Sequence, residues 1–245
     1  MAKFMAISDI HGSVPEKDVA EKLVDEKYDA LLLAGDVIEM NMKFKPLARW
    51  LKSVAENHRV IMTPGNHDYN IFEWYMIDHE GESFLSRRYP FIQRFSPEFL
   101  MENYGIEVLI DQGTTVDGVR IWGTPWSKNF CSWAFMDSTD KLKLKYDLIP
   151  KGIDVIVSHD PPTCLKPECD IDVNTEEYSV SGVKEHLGST GLVSMLERVN
   201  PKYLLCGHIH SGDHKEHLIG KTKCYNVSYL NERYEPAYPV LEFEC

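Results

Sequence analysis

No stretch of this 245-residue sequence is long and apolar enough to span a bilayer. The opening MAKFMAISDIHG lacks the basic start and long apolar run of a signal peptide. The expectation is a cytoplasmic protein with no membrane partner. Basic charge is scarce: Lys and Arg total 26 against 38 Asp and Glu, a formal net charge of −12. Such a surface repels polyanions except where metal ions or a local basic patch reverse the field. Long nucleic acid is therefore a disfavoured partner, whereas a small phosphate ester is not. The chain contains no C-x-x-C unit, and its cysteines are too sparse for a disulfide-built scaffold. Cys131, Cys164, Cys169, Cys206, Cys224 and Cys245 read mainly as reduced thiols. Cys164 and Cys169 lack the two further ligands that a metal site would need. Internal repeats and low-complexity tails are absent as well.

Apolar residues, at 43% of the chain, are sufficient for a substantial core in one domain, with room for an inserted lobe. Apolar runs repeatedly stop at Gly, Asp, Asn or His: FMAIS before Asp9, ALLLAG before Asp36, VIMTPG before Asn66, VIVS before His159 and YLLCG before His208. These runs read as strands whose polar successors lie where the chain turns out of a sheet. Between the first two, PEKDVAEKLVDEKY sets Val19, Leu23 and Val24 at helical spacing. FKPLARWLKSVAEN repeats the pattern with Leu47, Trp50, Leu51 and Val54, and Pro46 suits a first turn. Alternating strands and helices predict an α/β layered protein.

Residues 70–104 break this rhythm and read as an insertion flanking the site, packed by Phe72, Trp74, Tyr75, Phe91 and Phe95. Residues 106–126 read as two short strands, IEVLI and VRIWG, joined by a turn at DG and ending in GTPW. GSTGLVSMLERV is an amphipathic helix leading to the YLLCG strand, and CYNVSYL and VLEFE are further strand-like runs.

The chemistry-bearing residues follow the strands. SDIHG places Asp9 and His11 two residues apart on a turning loop, where both can face one cation. Asp36 in AGD can give an oxygen to each of two ions, about 3.5–4 Å apart in two-metal sites. In GNHD, Asn66 can coordinate through its amide oxygen, His67 can reach substrate, and Asp68 is a candidate orienting partner for that imidazole. SHDPP supplies His159, and CGHIH supplies His208 and His210 at the spacing of Asp9 and His11. Taken singly, each residue also fits a helix cap, a turn or a strand end satisfied by backbone groups. Five such motifs, each directly after an apolar strand, point to a metal site.

In that order, D-x-H, G-D, G-N-H-D, H and G-H-x-H resemble the calcineurin-like metallophosphoesterase superfamily. The resemblance implies an α/β fold of two mixed β-sheets packed face to face and flanked by helices, a four-layer sandwich, with residues 1–245 as a single domain. GTPW at 123–126, HDPP at 159–162, GHIH at 207–210 and NVSYLNERYEP at 226–236 resemble the branch containing the brain 239-like phosphodiesterases. Carried over by position, the resemblance implies one divalent ion on Asp9, His11, Asp36 and His210 and another on Asp36, Asn66, His159 and His208. It makes His67 the non-ligand histidine that contacts phosphate and assists the leaving group. Manganese is the first expectation, with iron, zinc, cobalt or nickel also suited to these mixed ligands. Residues 35–41 read GDVIEMN and lack the arginine of the protein Ser/Thr phosphatases, which argues against a phosphoprotein substrate.

The expected reaction is hydrolysis of a small phosphodiester, such as a cyclic nucleotide, by a metal-activated hydroxide, with His67 assisting the departing alkoxide. A phosphomonoesterase, a nuclease and a catalytically inactive binding scaffold are the alternatives. No protein partner is expected. Access is expected to be restricted by residues 70–104 and the loops near Trp126 and His214, with Trp74 or Trp126 stacking on a base. His58, His79 and His186 read as solvated or locally bonded, His214 and His217 as surface residues, and Arg87, Arg88 and Arg94 as a solvated face.

Overall fold

The structure, a computed structural model, describes residues 1–39, 44–83, 92–163, 169–175, 177, 179 and 181–245. The first half runs β1 (Lys3–Ile7), α1 (Lys17–Asp25), β2 (Ala30–Ala34), α2 (Phe44–Ala55), β3 (Arg59–Thr63), α3 (Tyr69–Glu80), α4 (Pro97–Tyr104), β4 (Ile106–Val108), β5 (Gln112–Val116) and β6 (Val119–Thr124). The second half runs β7 (Ser127–Lys128), β8 (Met136–Asp137), α5 (Thr139–Asp147), β9 (Val155–Ser158), β10 (Val173–Asn174), β11 (Glu185–His186), α6 (Thr190–Val199), β12 (Tyr203–Cys206), β13 (His217–Ile219), β14 (Thr222–Asn226) and β15 (Leu241–Glu244).

Two sheets dominate, in the orders β15-β1-β2-β3-β4 and β13-β14-β12-β9-β6-β5. Both are mixed, as expected: β1 to β4 run parallel with antiparallel β15 at one edge, while β6, β9, β12 and β14 run parallel between antiparallel β5 and β13. Successive side chains of a strand point to opposite faces, and that alternation sorts the core. Phe4, Ala6, Ala30, Leu32 and Ile61 of the first sheet pack with Ile121, Val155, Val157 and Leu205 of the second. The intervening residues Met5, Ile7, Leu31 and Leu33 join a cluster that contains Leu23, Leu47, Leu51 and Val54 of α1 and α2. On the second sheet Ile156 and Leu204 belong to the same cluster as Leu142, Leu192, Met195 and Leu196 of α5 and α6. Helices thus cover the outer faces, and the sheets face each other.

The segment around the DG turn departs from expectation. IEVLI contributes β4 to the first sheet, and the chain then crosses to the second, where Asp117 and Gly118 join β5 to β6. Both turn residues have positive φ, 46° and 85°, the backbone that matches a tight hairpin to strand twist. QGTTV is an edge strand with only Val116 buried, so it carries almost no apolar signal. Within residues 70–104, Phe72, Phe95 and Leu100 join the main core and form no separate cluster. Phe91, Arg87 and Arg88 lie outside the described residues. Cys169 is disulfide-bonded, contrary to the reading as a reduced thiol; sparse cysteines exclude a disulfide-built scaffold but not an individual bond. Among the described residues no helix is long and apolar enough to cross a membrane.

The inter-sheet core is expected to dominate stability. Leu32→Ala, at a fully buried position, should cost about 2–5 kcal/mol through lost burial and a residual cavity. Urea denaturation of the variant against the parent checks this; a loss below about 1 kcal/mol on that scale would show that the two sheets close over the gap.

Candidate metal centre

The five expected strands all end at one place. Parallel β1 and β2 are neighbours in register, Ile7 beside Leu33, so Asp9 and Asp36 emerge side by side. The backbone turns sharply there: Asp9, His11 and Asp36 have φ of 53°, 44° and 51°, and His208 has 70°. Residues with side chains adopt this region rarely, and such strain concentrates at functional sites. Asp9 is 0% and Asp36 2% exposed. The Asp9 carboxylate accepts hydrogen bonds from Ser8 Oγ, Ser228 Oγ (2.8 Å) and the His208 N–H (3.2 Å). Two glycines make this approach feasible. A Cβ at Gly207 would overlap the Asp9 carboxylate and Ser8, and one at Gly65 would overlap Asp36 and the His159 ring.

The histidines close around these carboxylates. His210 Nε2 lies 3.3 Å from Asp9 Oδ1 and 3.3 Å from His11 Nε2. His159 Nε2 lies 2.7 Å from Asn66 Oδ1 and 3.4 Å from Asp36 Oδ1. On the far side of each ring, His210 Nδ1 donates to the Asn231 carbonyl (3.0 Å) and His159 Nδ1 to the Ala34 carbonyl (3.0 Å). Those bonds orient each ring with Nε2 toward the cluster, the arrangement a metal-ligating histidine uses. Three triads, Asp9–His11–His210, His11–Asp36–His67 and Asp9–Asp36–His159, each bring their donor atoms within 4.8 Å of one another. His208 is 4.9 Å from His159, ring centre to ring centre. His67 stands with His11 and Asp36, so proximity alone does not separate it from the ligands.

Electrostatics test whether a cation belongs there. Burial works against charge on Asp9, yet the His210 and His159 imidazoles hold its carboxyl well below the ordinary range. Asp36 is likewise low: burial is outweighed by His159, His67 and His11. His159 rises to about 10 and His210 to about 9 because the aspartates outweigh burial, while burial depresses His11 to about 4 and His208 to about 3. The carboxylates thus favour positive charge on His159 and His210. His11 Nδ1 is buried without a hydrogen-bond partner. Buried carboxylates, imidazoles and an amide oxygen at these distances fit divalent cations of the borderline transition-metal class.

A cavity of ≈ 410 Å³ opens above the cluster, lined by His11, Asp36, Asn66, His67, His208 and His210 together with Lys128, Phe130, Trp133, Glu185, Glu232 and Tyr234. Asp9 and His159 lie beneath its floor. Asp68 departs from its expected role. Its carboxylate accepts from the N–H groups of Gly65 (2.7 Å), Ile38 (2.7 Å) and Val37 (3.1 Å). It anchors the loop after β2, and its hydrogen bonds go to these backbone groups and not to the His67 ring. Burial and the Asp36 charge push Asp68 up to about 7. Besides Asp36, the acid beside His67 is Glu39, 3.8 Å from His67 Nδ1 and 3.8 Å from His11 Nδ1. Its only sequence signal was its place three residues after Asp36.

Other expectations change too. Trp126 is 4% exposed and donates Nε1–H to Asp111 (2.5 Å), with the Lys145 ammonium 3.2 Å over its ring, so it offers no face to a ligand. Neither it nor Trp74 lines the cavity, whereas Phe130, Trp133 and Tyr234 do. His214 is half-buried and locally bonded: its ring nitrogens lie 3.1 Å from the Asn226 and His210 carbonyls, and it stacks on Tyr238. His217 is buried, 3.5 Å from Asp213. His58, His79 and His186 make local contacts with Tyr28, Tyr75 and Asp172, and Arg94 reaches toward Glu73.

A two-sheet α/β sandwich carrying buried carboxylates and imidazoles at the carboxyl ends of its parallel strands defines a metallohydrolase class. The chain belongs to the calcineurin-like phosphoesterase family, whose model matches residues 2–212. Human metallophosphoesterase domain-containing protein 1 is 27% identical over 253 residues, covering 97% of this chain and 69% of that protein; the mouse protein of the same name matches equally. Two solved structures share the fold: TT1561 of Thermus thermophilus (13% identity, TM-score 0.57, 92% of this chain and 88% of that one) and phosphopantetheinyl hydrolase from Mycobacterium tuberculosis (17%, TM-score 0.54, 95% and 90%).

Gly207→Ala tests the cradle directly. Its Cβ must displace the Asp9 carboxylate or Ser8, and affinity for Mn²⁺ is expected to fall on the order of 10–100-fold, as when other supports of metal ligands are removed. Calorimetric metal titration with an unfolding scan as control would read this. Unchanged affinity would mean that the cradle does not set the position of Asp9.

Proposed function

We propose that this chain hydrolyses a small phosphodiester, with cyclic nucleotides the first substrates to test, at a centre for two divalent cations, manganese foremost. Asp36 carries the proposal. One of its oxygens faces His159 Nε2 at 3.4 Å and the other faces His11 Nε2 at 3.9 Å, so a single buried carboxylate stands between two ligand sets. Asp9, His11, Asp36 and His210 would hold one cation, and Asp36, Asn66, His159 and His208 the other. Divalent cations bound there supply positive charge against the phosphate oxygens and make water more acidic. The chain supplies the rest. Asn231 and Ala34 fix the orientation of His210 and His159, and the sheet ends exclude solvent from Asp9 and His159. His67 lines the cavity with Glu39 beside its Nδ1 and delivers a proton to the departing alkoxide.

Charge supports a diester over other phosphates. Lys128 is the only Lys or Arg among the described residues of the cavity wall, which also carries Glu185 and Glu232. A monoanionic diester meets less repulsion there than a dianionic monoester or a polyanion.

Metal analysis with anomalous diffraction should find two ions per active chain flanking Asp36; full activity with one would defeat the two-cation reading. His67→Ala should retain metal while lowering kcat by about 10²–10⁴-fold for a poor leaving group and much less for an acidic one. Equal losses across the leaving-group series would remove His67 as proton donor. The substrate reading is checked by kcat/KM for 2′,3′- and 3′,5′-cyclic nucleotides against matched monoesters and oligonucleotides at fixed metal and salt. A dominant monoester would make the protein a phosphomonoesterase, and a dominant oligonucleotide a nuclease.

A further inference from the structure

The family match ends at residue 212, yet a later loop returns to the site. The Asn231 carbonyl accepts from His210 Nδ1 at 3.0 Å, and Glu232 accepts from the Ser211 N–H at 3.0 Å. Inside the loop, the Asn231 side-chain oxygen accepts from the Arg233 and Glu235 N–H groups, and the Asn231 carbonyl accepts from the Tyr234 N–H. This bracing holds Tyr234 at φ 60°, a conformation that side-chain-bearing residues rarely adopt. The Tyr234 ring meets His11 edge-on at 4.7 Å and lies 5.7 Å from His210, but it remains 53% exposed. A strained backbone that presents an aromatic ring to a cavity, without burying it, is not explained by core packing.

The same run of rings continues along the cavity wall. His11 contacts His67 at 4.8 Å, His67 contacts Trp133 at 4.7 Å, Trp133 contacts Phe130 at 5.2 Å and Phe130 contacts His208 at 5.7 Å. Phe130 is 58% exposed. Tyr234 and Phe130 therefore bring uncovered aromatic surface to the site from two segments, over different members of the histidine cluster. Neither residue belongs to a metal-binding motif.

We infer that Tyr234 and Phe130 determine specificity by taking a planar, uncharged aromatic group of the substrate while its phosphate lies on the carboxylate–imidazole cluster. The proposal rests on the phosphodiester reading only for the charge of the anchoring group. Aromatic faces attract a flat apolar group by stacking and burial, and Glu185 and Glu232 on the wall disfavour a second anionic group.

Binding, measured apart from turnover, tests this. Methyl phenylphosphonate and methyl ethylphosphonate are both monoanions, and only the first carries a ring. Calorimetry on the Mn²⁺-loaded protein should show the phenyl compound binding about tenfold more tightly, as ring contacts allow. Tyr234→Gly, which removes the ring and relaxes the positive φ, and Phe130→Ala should each reduce that preference by about fivefold. Tyr234→Phe should keep it, and metal content should match the parent throughout. Equal affinity for the two ligands in the parent, or variants that weaken both ligands alike, would overturn the assignment. Turnover of methyl p-nitrophenyl phosphate against p-nitrophenyl phosphate separately judges the diester reading: activity on the monoester alone would remove that reading, and the ring preference would still stand or fall by the binding data.

Discussion

Two carboxylates sealed from water govern this structure. Removing an ion from water costs several kcal/mol even after relaxation, and Asp9 and Asp36 are each almost fully covered. Among the described residues their ion pairs are with histidines and with no Lys or Arg. Every neighbouring feature answers that demand for positive charge. The aspartates raise the pKa of His159 and His210, and the His208 N–H and two serine hydroxyls donate to Asp9. A divalent cation held there would satisfy the same demand more fully, with the ring nitrogens giving up their protons to serve as ligands.

The two-sheet architecture is what brings the donors together. The first sheet delivers Asp9, His11, Asp36, Asn66 and His67 from the ends of β1, β2 and β3, and the second delivers His159, His208 and His210 from β9 and β12. Distances across the centre are therefore set by the apolar layer between the sheets, where Leu32, Ile61, Val157 and Leu205 pack. Close-packed interiors transmit small displacements, so the geometry of the centre depends on residues that never touch it. The C-terminal part closes the arrangement: β15 pairs with β1, and the loop around Asn231 bonds to His210.

Ligands gather at the carboxyl ends of parallel strands because neighbouring loops there open a crevice. In this chain that crevice combines a polar floor with an aromatic wall and a sparse set of charges. The floor suits a phosphate bound to cations. The wall, with Phe130, Trp133 and Tyr234, suits something flat and apolar, so the two halves of a substrate would meet chemically different surfaces.

Local pattern made much of this legible. Each run such as ALLLAG or VIVS is apolar because its strand is covered on both faces, and the first polar residue marks where cover ends; Asp36 and His159 could be placed on that basis alone. QGTTV carries little strand signal because an edge strand needs few apolar residues, and TDKLKLKYD, which forms α5, buries only Leu142 and Tyr146. Side-chain direction was harder still. The Asp68 carboxylate bonds to backbone N–H groups while Glu39 stands beside His67, Trp126 is buried in the core, and Tyr234 reaches the site from a loop far along the chain. The sequence by itself determined which residues could bind metal, since residue type and strand ends are local properties. Only the tertiary structure decided which side chains face the cavity, because that depends on backbone turns and on partners distant in the chain, such as Val37 for Asp68 and His210 for His11.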